Sequence, residues 1–280
     1  MALSHAPLGH CIGVEILGVD PQCELTRAEA DDILALLDRY GVVVFPELHP
    51  DDAQQVAIAR SLGTIVPAYR GDPADAPEFP ELFTISLDPA RSAAAQYLKG
   101  SLYWHIDGTT ADVPPMASML SAREIPPEGA GTEFCNTYTA YEALPAEERA
   151  ALDDLQVVHS FEQAQRLVEP DPDEETLAIW RRNEPREIPL VWKHHSGRRS
   201  LVLGATASHV VGMEETESRA LIDRIQAWTT RPEFSYRHAW RLGDLIMWDN
   251  RGTMHRASAY EPSARRLMRR VELAGEEAIA

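Results

Sequence analysis

Residues 265–271 read Arg-Arg-Leu-Met-Arg-Arg-Val, and this alternation constrains the chain more than any other stretch. In an extended strand successive side chains point to opposite faces, so Arg266, Met268 and Arg270 share one face while Arg265, Leu267 and Arg269 share the other. One face then carries two cations. Guanidiniums turned into a protein interior need anions beside them, because an uncompensated buried charge is too costly to keep. Carboxylates of a bound ligand are the obvious partners, with an internal salt bridge as the competing reading for Arg270. Arg265 and Arg269 are expected outside and solvated, although a register slip of one residue would exchange the two sets.

Far upstream the chain reads Trp104-His105-Ile106-Asp107-Gly108-Thr109. On a strand His105 and Asp107 point the same way, so an imidazole and a carboxylate can grip one metal ion. If the strand starts early, Ser101 and Tyr103 join that face and lie near the metal, while Trp104 and Ile106 turn away into packing. A His-x-Asp pair alone is weak, since ten histidines make about one by chance in a chain this long. His255 sharpens it. Two histidines and one carboxylate form a ligand set that leaves three coordination positions open and is typical of non-haem Fe(II) oxygenases.

A chain of 280 residues with 44% hydrophobic content can bury a substantial core, and a single domain over residues 1–280 is expected. The net charge of −18 argues against nucleic acid or an anionic membrane as a partner. It leaves the sign of a substrate open, because an acidic exterior can surround an arginine-lined pocket. Cys11, Cys23 and Cys135 form neither a disulfide framework nor a metal-ligand spacing. The start, MALSHAPLGH, has no basic region followed by an apolar run, and no apolar run approaches the roughly eighteen residues of a spanning helix, so a cytoplasmic protein is expected.

Along the chain, residues 11–19 predict an opening strand and Thr26 with Glu29 predicts a capped helix ending before Gly41. Strands follow at 41–45, 64–68, 116–122 and 133–135, with a helix at 51–62. Residues 69–102 lose periodicity apart from 82–87 and lead into the His105 segment, which suggests a lid over a site. Helices are expected at 139–144, 146–155 and 214–228, and an acidic, proline-containing solvated loop at 169–175. Strands at 188–194 and 200–204 flank a hairpin turn that would expose His194 and His195. Closing strands fall at 234–240, 244–248 and 265–272. Many strands with a few outer helices predict a mainly β fold with flanking helices, a double-stranded β-helix or jelly roll of two facing sheets.

The His105-x-Asp107 pair, the Trp248-Asp249-Asn250-Arg251 segment before His255, and Arg266 eleven positions after it resemble the taurine dioxygenase and 2,4-dichlorophenoxyacetate dioxygenase family of Fe(II)/2-oxoglutarate enzymes. The resemblance covers nearly the whole chain. The wording of Thr132-Glu133-Phe134-Cys135, Ala207-Ser208-His209-Val210 and Tyr236-Arg237-His238 is nearer to the phenoxyacetate branch. The resemblance implies Fe(II) on His105, Asp107 and His255, with O2 and 2-oxoglutarate as co-substrates giving succinate and CO2. It implies that Arg266 and the Thr132 hydroxyl bind the 5-carboxylate, that Arg270 grips an acidic group of the substrate, and that His209 edges the pocket. The family pattern for the turn before Thr132 is Gly-Gly-x-Thr, and here Ala130 and Gly131 depart from it. A small anionic substrate, phenoxyacetate-, sulfonate- or sulfate-ester-like, follows, and the family forms dimers or tetramers. Two alternatives stay open: a same-fold metal oxidase or hydrolase without 2-oxoglutarate, and a metal-binding protein without turnover.

Overall fold

The computed structural model describes residues 3–92, 94–126, 131–261 and 264–280. Its centre is a sheet in which the strands Val42–Phe45, Leu245–Asp249, Ala117–Glu124 and Leu267–Leu273 lie side by side, all antiparallel to their neighbours. Ser4–Pro7 and Val14–Leu17 extend one edge, and Ile65–Val66 and Phe83–Ile85 extend the other. A smaller sheet of Ser235–His238, Thr132–Asn136 and Thr253–Ala257 faces it. Two facing sheets with helices outside make the double-stranded β-helix expected from the sequence.

Side-chain parity sorts these strands into two layers. Val43, Phe45, Ala117, Met119, Leu245, Met247, Val271 and Leu273 point to one side, where they meet Ile33, Leu37, Val56 and Ile58 of the helices Arg27–Tyr40 and Asp52–Leu62. Val42, Val44, Leu120, Ala122, Ile246, Trp248 and Met268 point to the other side and pack with Phe134 of the smaller sheet. Each such side chain moved out of water contributes roughly 1.5–3 kcal/mol, which holds the helix layer and the facing sheet to the central one. The helices start where their caps allow. Thr26 accepts from the Glu29 amide while the Glu29 carboxylate accepts from Thr26, and Asp51 and Gln54 repeat this reciprocal arrangement. Gly41 closes the first helix at φ 69, a left-handed conformation that favours glycine.

Several local expectations change. Arg269 is not free in solvent. It faces the helix layer, where its guanidinium reaches Asp52 at 2.6 Å, while Arg123 reaches the same carboxylate at 3.0 Å. Arg265 is outward, as expected, and pairs with Glu124 on the surface. The acidic stretch at 169–175 ends inside a helix, Glu174–Trp180, because Asp173 accepts from the Thr176 amide as an N-cap. His194 is buried against Trp192 and bonds Ser200 through Nε2 at 2.8 Å, whereas His195 is exposed. The strands Gln156–His159 and Thr253–Ala257 were not separated by the sequence pattern. No helix among the described residues is long and apolar enough to cross a membrane.

His159 is fully buried and, among the described residues, bonded only through Nδ1, to the Thr206 hydroxyl at 2.8 Å. Burial pushes its pKa down to about 4, and burial together with Arg251 and Arg198 does the same to His194. An unfolded histidine titrates near pH 6.5, so the unfolded chain takes up protons that the folded one refuses. Stability from these groups is therefore complete above about pH 6.5 and falls as pH drops towards 4, by up to about 3 kcal/mol for each histidine. Urea unfolding at neutral and acidic pH should register this loss, and His159→Gln should remove roughly half of it.

Candidate metal and 2-oxo acid site

The metal-ligand segment is not a regular strand. His105 forms a single antiparallel bridge with His255, in which each residue's amide donates to the other's carbonyl, at 3.0 and 2.9 Å. The chain then turns at 107–110. This bridge, rather than strand alternation, brings the two imidazoles together, with ring centroids 4.1 Å apart. The Nε2 atoms of His105 and His255 each lie 3.8 Å from a different Asp107 oxygen. One ligand atom from each of the three residues falls within 4.8 Å of the others.

Gly204 makes the close approach behind His105 possible. At φ +105 it passes so near that a Cβ would stand 2.7 Å from the Trp104 carbonyl oxygen and 2.8 Å from the His105 Cα. The following amide, of Ala205, donates to Trp104 O at 2.7 Å.

Each ligand side chain has its own support. Nδ1–H of His105 donates to the Tyr103 carbonyl at 2.8 Å, which selects the tautomer that leaves the Nε2 lone pair free. Asp107 accepts from the Ser118 hydroxyl at 2.7 Å, and that oxygen accepts from Asn250 Nδ2 at 3.0 Å. Burial alone would raise the Asp107 pKa, but Arg270, at 3.3 Å from Oδ1, and the two imidazoles hold it below the ordinary carboxylate range. Burial, reinforced by His105 and Arg270, pushes the His255 pKa down to about 3, so its ring is neutral. A neutral His255 and an ionised Asp107 are the states in which these groups bind a divalent cation. Ser118 escapes a sequence reading, and Asn250 enters one only as part of the segment 248–251, because the contacts joining them to Asp107 are long-range. Parity in the Ala117–Glu124 strand does place Ser118 on the inner face.

A cavity of about 370 Å³ opens beside the triad. The smaller sheet sends Thr132, His255 and Ala257 into its wall and the central sheet sends Leu120, Trp248 and Arg270. Arg266, just before the Leu267–Leu273 strand, is 3% exposed and also lines it. Among the described residues no carboxylate pairs with Arg266. Its Nε is buried without a hydrogen-bond partner, and its guanidinium lies 5.0 Å from the Tyr260 ring. Burial lowers its pKa, with Tyr260 opposing. Thr132 Oγ1 accepts from Trp240 Nε1 at 2.9 Å, which leaves the threonine proton free to donate. Residues 127–130 of the turn before Thr132 lie outside the described residues.

Arg270 behaves differently from Arg266. It pairs with Asp107 and, at 3.2 Å, with Glu272, so the competing reading, an internal salt bridge, holds for a side chain that also lines the cavity. Ser101 lies in a short 3-10 helix, Lys99–Leu102, with its hydroxyl donating to Leu98 O, and it does line the cavity. Tyr103 does not. Its hydroxyl donates to the Leu167 carbonyl on the surface, because without a continuous strand there is no shared face with His105. His209 is exposed beside Ser208 and is not in the cavity wall, since a register shift between Ala207 and His209 breaks the strand's alternation there. Sequence reasoning missed Phe161 and Gln165, which reach the cavity from the helix Phe161–Arg166, and Thr109 and Thr206, whose hydroxyls meet at 2.9 Å. Part of the wall also comes from 83–101, through Phe83, Ile85, Tyr97 and Leu98.

The family profile described as "Taurine catabolism dioxygenase TauD, TfdA family" matches residues 4–271. The alpha-ketoglutarate-dependent 2,4-dichlorophenoxyacetate dioxygenase of Cupriavidus pinatubonensis is 34% identical over 284 residues, covering 96% of this chain and 97% of that protein. The alpha-ketoglutarate-dependent sulfate ester dioxygenase of Pseudomonas putida is 34% identical over 281 residues, covering 96% of this chain and 89% of that protein. Among solved structures, AAD-2 in complex with Mn(II) and N-oxalylglycine superposes with a TM-score of 0.85 at 32% identity, covering 100% of each chain. On this match, which takes in all three candidate metal ligands, the chain belongs to the taurine catabolism dioxygenase TauD, TfdA family.

Proposed function

We propose that this dioxygenase holds Fe(II) on His105, Asp107 and His255, uses 2-oxoglutarate and O2 as co-substrates, and hydroxylates a small organic anion, giving succinate and CO2. The observation that carries this reading is the pairing of a buried two-histidine, one-carboxylate cluster with a buried guanidinium, Arg266, whose Nε has no partner among the described residues. The donor set suits a divalent metal with open positions, and the unanswered cation suits a carboxylate. Relatives named for phenoxyacetate, phenoxypropionate and sulfate ester substrates support the anionic substrate class. The cytoplasm belongs to the same reading.

When bound, the ferrous ion and the 2-oxo acid supply the oxidising chemistry: one atom of O2 leaves in succinate, CO2 is released, and the other atom enters a C–H bond of the substrate. The protein's own side chains do the rest. His105 and His255 present their Nε2 atoms, and the Ser118 hydroxyl aims the Asp107 carboxylate. Arg266 and the Thr132 hydroxyl, whose proton is free to donate, hold the distal carboxylate of the co-substrate, for which a planar guanidinium fixes both position and orientation. Arg270 attracts the acid group of the substrate. Phe83, Ile85, Leu120 and Phe161 keep the cavity apolar and exclude water, and residues 69–102 serve as a lid.

Removing a buried guanidinium from its carboxylate costs about 2–5 kcal/mol, so Arg266→Gln should weaken 2-oxoglutarate binding at least about thirtyfold. Mn(II) binding should stay unchanged. Calorimetric titration of metal and then co-substrate reads both, and a metal-loaded wild type that takes up no 2-oxoglutarate would leave the oxidase or hydrolase alternative instead. Ser118→Ala should lower Mn(II) affinity about 10- to 100-fold by freeing the Asp107 carboxylate, with thermal stability as the control for folding.

A further inference from the structure

Arg270 borders two hollows. Besides the catalytic cavity, a second one of about 190 Å³ is lined by Arg70, Glu81, Phe83, Arg270 and Glu272, so Phe83 and Arg270 belong to both walls. The Phe83 ring lies 5.5 Å from the guanidinium. Glu272 follows Arg270 at strand spacing on the same inner face, and its carboxylate takes NH2 at 3.2 Å while Asp107 takes NH1 at 3.3 Å. Both nitrogens are thus engaged by protein carboxylates before any substrate arrives. Nothing in the function proposed above uses Glu272.

Counting charge gives it a role. A divalent metal and a doubly charged 2-oxo diacid cancel, and the two guanidiniums of Arg266 and Arg270 cancel the carboxylates of Asp107 and Glu272. Arg70 and Glu81, which line the second hollow with Glu272, add one charge of each sign. The loaded cavity and this hollow are therefore neutral together, so a singly charged substrate leaves one negative charge in excess and a doubly charged one leaves two. Beside the apolar side chains of Phe83, Ile85, Leu120 and Phe161 each excess charge is expensive. We propose that Glu272 is a specificity-determining residue that competes with the substrate's acid group for Arg270 and thereby restricts the cavity to singly charged anions: carboxylates, sulfonates or sulfate monoesters, not phosphate monoesters. This rests on the function proposed above.

The test is calorimetric binding of hexyl sulfate and hexyl phosphate to protein loaded with Mn(II) and N-oxalylglycine, at mildly alkaline pH where the phosphate is a dianion. Wild type should bind the sulfate at least about tenfold more tightly than the phosphate. Glu272→Gln, which keeps the shape and loses the charge, should bind the sulfate about tenfold more tightly than wild type and the phosphate by a larger factor, with N-oxalylglycine affinity unchanged. A variant that binds N-oxalylglycine normally but gains affinity for neither ester overturns the assignment of Glu272 alone. A wild type that prefers the phosphate overturns it without any variant. Failure of the Mn(II)-loaded wild type to take up N-oxalylglycine removes the underlying function, and this inference with it.

Discussion

Two backbone hydrogen bonds between His105 and His255 are what the candidate site depends on. They join an irregular segment to the edge of the smaller sheet. Without them the two imidazoles would have no common reference, because nothing else in the 103–110 stretch is regular structure except the turn that follows. The bridge sets the ring spacing, and the turn at 107–110 swings Asp107 back under both Nε2 atoms. Gly204 lets a second segment lie directly against the bridge from behind. A side chain there would have to push the Trp104 carbonyl aside, so a conformational property of one glycine is transmitted to the metal ligands through backbone contact alone.

The inner faces of the two sheets explain why charge can be used so sparingly. Phe134 and Trp248 wall the His255 ring on the sheet side, at centroid distances of 6.1 and 4.6 Å. In such surroundings every ionised group must be answered. Asp107 is answered by Arg270 and the Ser118 hydroxyl, and Arg270 in turn by Glu272. Arg266 stands apart, with an aromatic ring and no described carboxylate beside it. The contrast between two arginines on one strand face separates a cation whose partner is part of the fold from one whose partner must arrive.

Much of this was legible in the sequence, for reasons that differ by residue. Alternation around Leu267–Leu273 placed Arg266 and Arg270 on one side, and it survives the register shift between Leu267 and Met268 because the residue passed over there, Arg123, belongs to the neighbouring strand. His105, Asp107 and His255 were found by residue type and spacing, although the assumed strand geometry was wrong for the first two. That error had a cost: it carried Tyr103 onto a face that does not exist. His209 failed for a related reason, a register shift that parity cannot foresee. Arg269 was misjudged because its partner Asp52 lies on a helix packed across the sheet, and Ser118, Thr206 and Glu272 were overlooked because polar residues outside a motif acquire meaning only from what the fold places opposite them.

The same consideration links the metal end of the cavity to its selectivity. A guanidinium that both steadies a candidate metal-ligand carboxylate and lines the cavity cannot serve Asp107 and a cavity anion independently, since charge drawn by one partner is unavailable to the other. A second protein carboxylate on Arg270 moderates the competition. With Glu272 present, Arg270 is drawn towards protein carboxylates on two of its nitrogens, and the pull left for an incoming anion is weaker but the cavity is electrically balanced before substrate enters. Balance of that kind favours ligands that add the least charge for the most apolar contact, which is what a cavity walled by Phe83, Ile85, Leu120 and Phe161 is otherwise built to hold.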